Sequence, residues 1–235
     1  MDQRFLVEAL GRRPALFKAM VEFNRAQQDR SDDCTLLASL GEVGKALMRD
    51  PAVRRACSGD RRGNTRGWWD FSEESCRLVL LSDDELRRLA LMFSAAVYGE
   101  EMALVLNKAQ VIELRSLLGD AVFSYAIRRG RYQIGSLRPF LIENMPEGSL
   151  SERLRLLSAA VLFAVSRSWP EELRPVWAAK LQRAALVGAP PSSSETASAQ
   201  TALPPLRAEQ RRVLWFTLKK LLLREAAPQW APCFD

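Results

Sequence analysis

The sequence predicts an all-α fold: a single irregular multi-helix domain whose C-terminal helix packs back on it after a flexible linker. Three observations carry this. Apolar residues recur at three- and four-residue steps along most of the chain. No Asn-Gly or Asp-Gly pair stands between alternating apolar runs, as a tight hairpin would require. The 235 residues are 48% hydrophobic and 26% charged, which are globular proportions, and the chain is long enough to bury a core.

The elements follow in order. Residues 4–28 carry Phe5, Leu6, Leu10, Phe17, Met20, Val21 and Phe23 at helical steps, and Gly11 with Pro14 splits them into a short and a longer helix. Residues 35–49 read as a helix ended by Asp50-Pro51. Three glycines between Ser58 and Asp70 forbid a stable helix there. Ser82-Asp83-Asp84-Glu85 is a capping box for a helix burying Leu86, Leu89, Ala90, Phe93 and Val97, kinked or ended at Tyr98-Gly99. A further helix is expected from about Glu100 to Leu118, with Leu104, Val111, Leu114 and Leu118 inward and Gly119 as its cap. Asp120 caps the next, which ends near Gly130. Gly135 to Gly148 reads as a turn-rich connector. Ser149 and Glu152 form a second capping box for a helix through Arg167. Trp169-Pro170 restarts a helix that runs to Val187. The organisation is thus a helical body over 1–188, a Pro/Ser-rich linker over 189–205, and a C-terminal helix with an aromatic tail over 206–235 in the same domain.

Composition narrows function. The chain has no histidine, which removes the commonest general base and the imidazole that activates Ser or Cys nucleophiles. The acidic pairs Asp32-Asp33, Asp83-Asp84, Glu100-Glu101 and Glu171-Glu172 are sequence neighbours, so on a helix they diverge instead of forming a dyad. No phosphate-cradling glycine loop is present. A non-enzymatic protein is the expectation, with no catalytic residue, cofactor or metal site assigned. Cys34, Cys57, Cys76 and Cys233 lack metal-ligand spacing and read as free thiols. The longest apolar run, Leu156–Val165 interrupted by Ser158, falls short of the roughly 20 residues a membrane span needs. With no apolar leader after Met1-Asp2-Gln3-Arg4, a cytoplasmic location is expected.

The net charge is +6, and of the 34 basic residues only six are lysine. Spread along the whole chain, this reads either as a preference for arginine or as a surface for an acidic partner, anionic lipid or nucleic acid. Three clusters are candidates for partner binding. Arg61, Arg62 and Arg66 precede the Trp68-Trp69 pair: either the tryptophans anchor a loop whose arginines are solvated, or the set grips a partner. Arg128, Arg129, Arg131 and Tyr132 end a helix, where cations complement the dipole or meet an acidic partner. Trp230 and Phe234 follow the helix-stopping Pro228, in a tail too apolar to remain undocked. They either finish the chain's own packing or present an edge to another protein. The helix before them, with Val213, Leu214, Phe216, Leu218, Leu221, Leu222 and Leu223, is apolar over more than one stripe and should be largely buried.

Two stretches resemble a known family. The tail, LW..LKKLLLREAAPQWAPCFD over 214–235, is similar to the C-terminus of the K-type sorting-platform adaptors of bacterial type III secretion systems (the SctK or YscK family). The stretch LRRLALMFSAAVYGEEMALVLNKAQVIELRSLLGDAVFSYAIRRG over 86–130 resembles that family's central region, and Glu22-Phe23-Asn24-Arg25 is a shorter echo. The resemblance implies a non-enzymatic, all-helical injectisome component at the cytoplasmic face of the inner membrane. It would link the cytoplasmic domain of the inner-membrane ring protein (SctD-like) to the pod protein (SctQ-like), and through it to the stalk and ATPase. It implies no nucleic-acid partner. The alternative from composition is an arginine-rich helical nucleic-acid-binding protein.

Overall fold

The computed structural model describes residues 3–31, 68–186 and 202–234. Every regular element among them is helical, so the fold is all-α. The chain divides into two compact units, Met1–Ser72 and Glu73–Asp235. The 206–234 segment thus shares a unit with residues 73–186, and a division falls at residue 72, where the sequence signals none.

In the first unit, α1 spans Gln3–Arg12 and α2 spans Pro14–Ser31. Pro14 stands at the first position of α2, where its missing N–H costs nothing. The backbone bonds Arg13 N–H to Ala9 O (3.0 Å) and Phe17 N–H to Arg13 O (3.1 Å) bridge the joint. Ala9, Leu16 and Met20 are buried. The 35–49 helix lies outside the described residues.

The second unit opens with a 3₁₀ helix, Glu74–Leu80, whose residues Ser75 to Val79 are buried. The sequence reading had no element here, because the period of three matches neither the strand nor the α-helical template. Next, α3 spans Asp83–Val97. Its capping box is made: the Glu85 N–H donates to Ser82 Oγ (3.2 Å) and the Ser82 N–H to Glu85 Oε2 (2.8 Å). From Leu89 to Val97 no residue of α3 is exposed, so it is the central helix. Full burial of Leu89, Phe93 and Val97 contributes roughly 1.5–3 kcal/mol each.

The helix expected over 100–118 is interrupted. A short α4, Gly99–Ala103, gives way to an extended link, and α5 begins at Lys108, capped by Asn107 Oδ1, which accepts from the Ala109 N–H at 2.8 Å. Leu104 is consequently 78% exposed, not inward. The spacing alone could not show that Asn107 restarts the helix and shifts the phase of the apolar stripe. α5 runs to Arg128 but breaks at Gly119, whose φ of +76° suits glycine, so this residue ends one helix as expected and Asp120 begins the next. Leu114 and Leu118 are buried and Val111 partly so.

The connector expected at 135–148 contains a helix, α6, over Leu137–Glu143. Pro139 lies within its first turn, where a missing donor is tolerated. α7 spans Leu150–Ser166 behind the Ser149–Glu152 capping box, and α8 spans Leu173–Arg183. α7 crosses α3 where the Ser94 and Ser158 hydroxyls meet at 2.8 Å. One hydroxyl donates across and the other donates to a carbonyl of its own helix, Leu91 O or Leu154 O, so this buried polar pair is satisfied. Trp169 packs against Trp177 with ring centroids 4.8 Å apart and planes tilted by 53°, and donates its indole N–H to Ser75 Oγ at 2.8 Å.

Within the expected linker, Leu203 is buried and its carbonyl accepts from Arg167 Nη2, so the chain is anchored at this point; residues 189–201 lie outside the described set. α9 spans Ala208–Leu221 and continues into a π turn, Leu222–Ala226, closed by the Ala227 N–H to Leu222 O bond at 2.8 Å. Pro228–Trp230 forms a 3₁₀ turn and Ala231–Phe234 a last helical turn. Cys233 is a free, buried thiol and Cys76 is buried, while Cys34 and Cys57 lie outside the described residues.

Candidate partner-docking surfaces

The three candidate clusters have different fates. In the first, Trp68 and Trp69 are half-buried within the first unit. The Trp68 indole N–H donates to Asp70 O (2.7 Å), its carbonyl accepts from Asn24 Nδ2 on α2 (2.8 Å), and the Trp69 ring lies 6.5 Å from Phe17. Next to them Phe71 is buried edge-on against Phe23 at 5.9 Å. The tryptophans therefore hold residues 68–71 on α2. Arg61, Arg62 and Arg66 lie outside the described residues.

The tail is likewise turned inward. Phe234 has no exposed surface and its ring sits 6.1 Å from Trp215. Its carbonyl accepts from Lys219 Nζ (2.6 Å), and the same ammonium meets both Glu74 oxygens at 3.0 Å. The buried Arg77 donates from Nη1 to Cys233 O at 2.8 Å and lies 4.0 Å from Glu74. Burial pushes the Cys233 thiol up, against the opposing pull of Arg77. Phe234 is thus a core residue and not a surface contact. Trp230 stays partly exposed, but its indole N–H donates to Glu85 Oε1 at 2.9 Å, joined there by the Gln229 amide. Partial burial raises the Glu85 pKa, yet bonds from the Ser82 backbone, Trp230, the Ser82 hydroxyl and Gln229 outweigh it and leave the carboxyl below its ordinary value. One carboxylate therefore caps α3 and holds the tail.

Among the described residues, the candidate cluster that lies on the surface is the helix end at 128–132. The Arg129 N–H donates to Tyr125 O at 2.9 Å and closes α5, and Gly130–Tyr132 makes a 3₁₀ turn. A Cβ on Gly130 would come within 3.0 Å of the Ala96 Cβ and 3.1 Å of the Tyr125 ring, so glycine lets this turn lie flat on α3. Arg128 is exposed, Tyr132 is 71% exposed, and the Arg131 guanidinium stacks over the Tyr132 ring at 4.6 Å. Arg129 reaches Glu225 at only 4.0 Å. Burial, reinforced by Glu225, pushes the Tyr125 hydroxyl far up, so it stays protonated beneath the turn. Together these side chains form a cationic corner around one aromatic ring.

Phe216, expected to be buried with the rest of its helix, is 67% exposed, because α9 packs by one face only. Trp215 beside it is half-buried and lines a groove with Arg211 and Arg212. Only the spacing of these arginines from Trp215, three and four residues, hinted that they share a face. Among the described residues no group of three or more His, Cys, Asp or Glu side chains could hold a metal ion, and no helix is long and apolar enough to cross a membrane. No family model matches the chain, and comparison with curated proteins and with solved structures finds no match.

Proposed function

We propose that this chain is a non-enzymatic adaptor of a type III secretion sorting platform, working at the cytoplasmic face of the bacterial inner membrane. It links the ring protein's cytoplasmic domain to the pod protein, and so to the stalk and ATPase. One observation carries the reading. The two stretches that resemble the K-type adaptors, 86–130 and 214–234, lie far apart in sequence yet build one core: α3 packs against α5, against α9 and against the π turn after it. The resemblance thus falls on one contiguous packing unit instead of on two unrelated helices. That unit presents the Arg128–Tyr132 corner, whose arginine forks and single ring suit an acidic protein surface.

Pull-down with the full chain tests this. The ring protein's cytoplasmic domain or the pod protein should be retained, and Arg128→Glu combined with Tyr132→Ala should release one of them. If neither is retained and deletion of the gene leaves secretion intact, the reading fails.

A further inference from the structure

We infer that the groove beside the start of α9 is a docking cleft for a protein segment carrying a carboxylate next to an apolar side chain. The groove holds about 500 Å³. Its apolar lining is Val165 at the end of α7 and Ala208 and Trp215 of α9. Arg211 and Arg212 stand on the α9 side; Glu73 and Glu74 stand at the start of the 3₁₀ helix.

The charges say what fits. The Glu74 carboxylate is matched internally, with both oxygens on Lys219 Nζ at 3.0 Å. Glu73 is exposed and accepts from Ser75 Oγ at 2.6 Å. Both arginines are exposed, and among the described residues neither guanidinium has an ion-pair partner. Among the described residues the cleft therefore offers two unmatched cations on one side and one carboxylate on the other. A uniform polyanion such as a nucleic acid strand is drawn to the first side and repelled by the second. A polypeptide satisfies both: a carboxylate takes the Arg211–Arg212 pair, main-chain N–H groups donate to Glu73, and an apolar side chain covers Trp215 and Val165. Trp215 is already held by its tilted ring contact with the buried Phe234, so little ordering remains to oppose binding. Tryptophan and arginine are the residue types that dominate binding at protein interfaces. This cleft is separate from the 128–132 corner, and its inference holds whichever assembly the chain serves.

A displayed library of random 12-residue peptides, selected on the immobilised full chain, provides the probe. Enriched peptides should carry Asp or Glu beside a large apolar residue. By fluorescence anisotropy they should bind about tenfold or more weakly to Arg211→Glu/Arg212→Glu. They should also weaken with Trp215→Ala and bind unchanged to Arg87→Glu/Arg88→Glu, which alters the net charge equally at exposed positions of α3. All four arginines are exposed, so thermal melts should show that both double variants remain folded. The inference is overturned if no peptide is enriched, or if the enriched peptides bind both double variants alike. It is also overturned if a thymidine 12-mer binds in an Arg211/Arg212-dependent way and displaces them. Failure of the pull-down together with intact secretion in the deletion strain, with peptide binding preserved, would remove the secretion reading and leave the cleft.

Discussion

The tail at 228–234 and the turn at 128–132 each bring aromatic rings and cations together, yet the molecule uses them in opposite ways. The tail's cations, Arg77 and Lys219, come from distant elements and point inward to cap the carbonyls of Cys233 and Phe234. The turn's cations lie on the turn itself and point outward around Tyr132. The difference teaches that an aromatic beside a cation does not mark an interface. What decides is whether the chain itself supplies the partner: Trp215 for Phe234 and Glu85 for Trp230, against solvent for Tyr132.

This contrast can be broken most sharply at Phe234. Phe234→Ala removes a fully buried ring and should cost about 3–5 kcal/mol in urea denaturation. A loss below about 1 kcal/mol would mean the tail is not part of the core, and would return Phe234 to the candidate contacts.

Glu85 is the next test, because it joins the tail to the cap of α3. Glu85→Ala should cost about 1–2 kcal/mol through the lost cap and the unpartnered Trp230 indole. The pH dependence has a definite sign. The folded carboxyl lies below its ordinary 4.5, so its contribution is full above that value and fades as pH falls through the folded pKa. Glu85→Gln keeps a capping oxygen and should flatten this acid limb in melts between about pH 5 and pH 2. An unchanged acid limb would show that the tail bond carries no linked protonation.

The smallest effect on stability belongs to the turn. Tyr132→Ala and Arg128→Glu should each leave the unfolding free energy within about 0.5 kcal/mol, since both side chains face solvent. If either variant melts far below the parent chain, the turn is structural and the comparison collapses.

Legibility followed the range of the forces involved. Both capping boxes, the Gly11–Pro14 split and the break at Gly119 were readable, because each depends on residues within about four positions. The 3₁₀ helix at 74–80 and the helix at 137–143 were not, since the first lacks an α-helical period and the second is short and contains a proline. Of the candidate contacts, the corner could be named from its residue types. The groove could not, because Glu73, Val165 and Trp215 meet only when three distant segments pack together.

The sequence by itself determined the helical class, the caps and the punctuation, all set by local backbone hydrogen bonding and side-chain spacing. Only the tertiary structure decided that Leu104 and Tyr132 face outward, that Phe234 is sealed in, and that Trp215 edges a cleft. Exposure is a property of what packs on a residue, and for each of these the packing, or its absence, comes from chain far away in sequence.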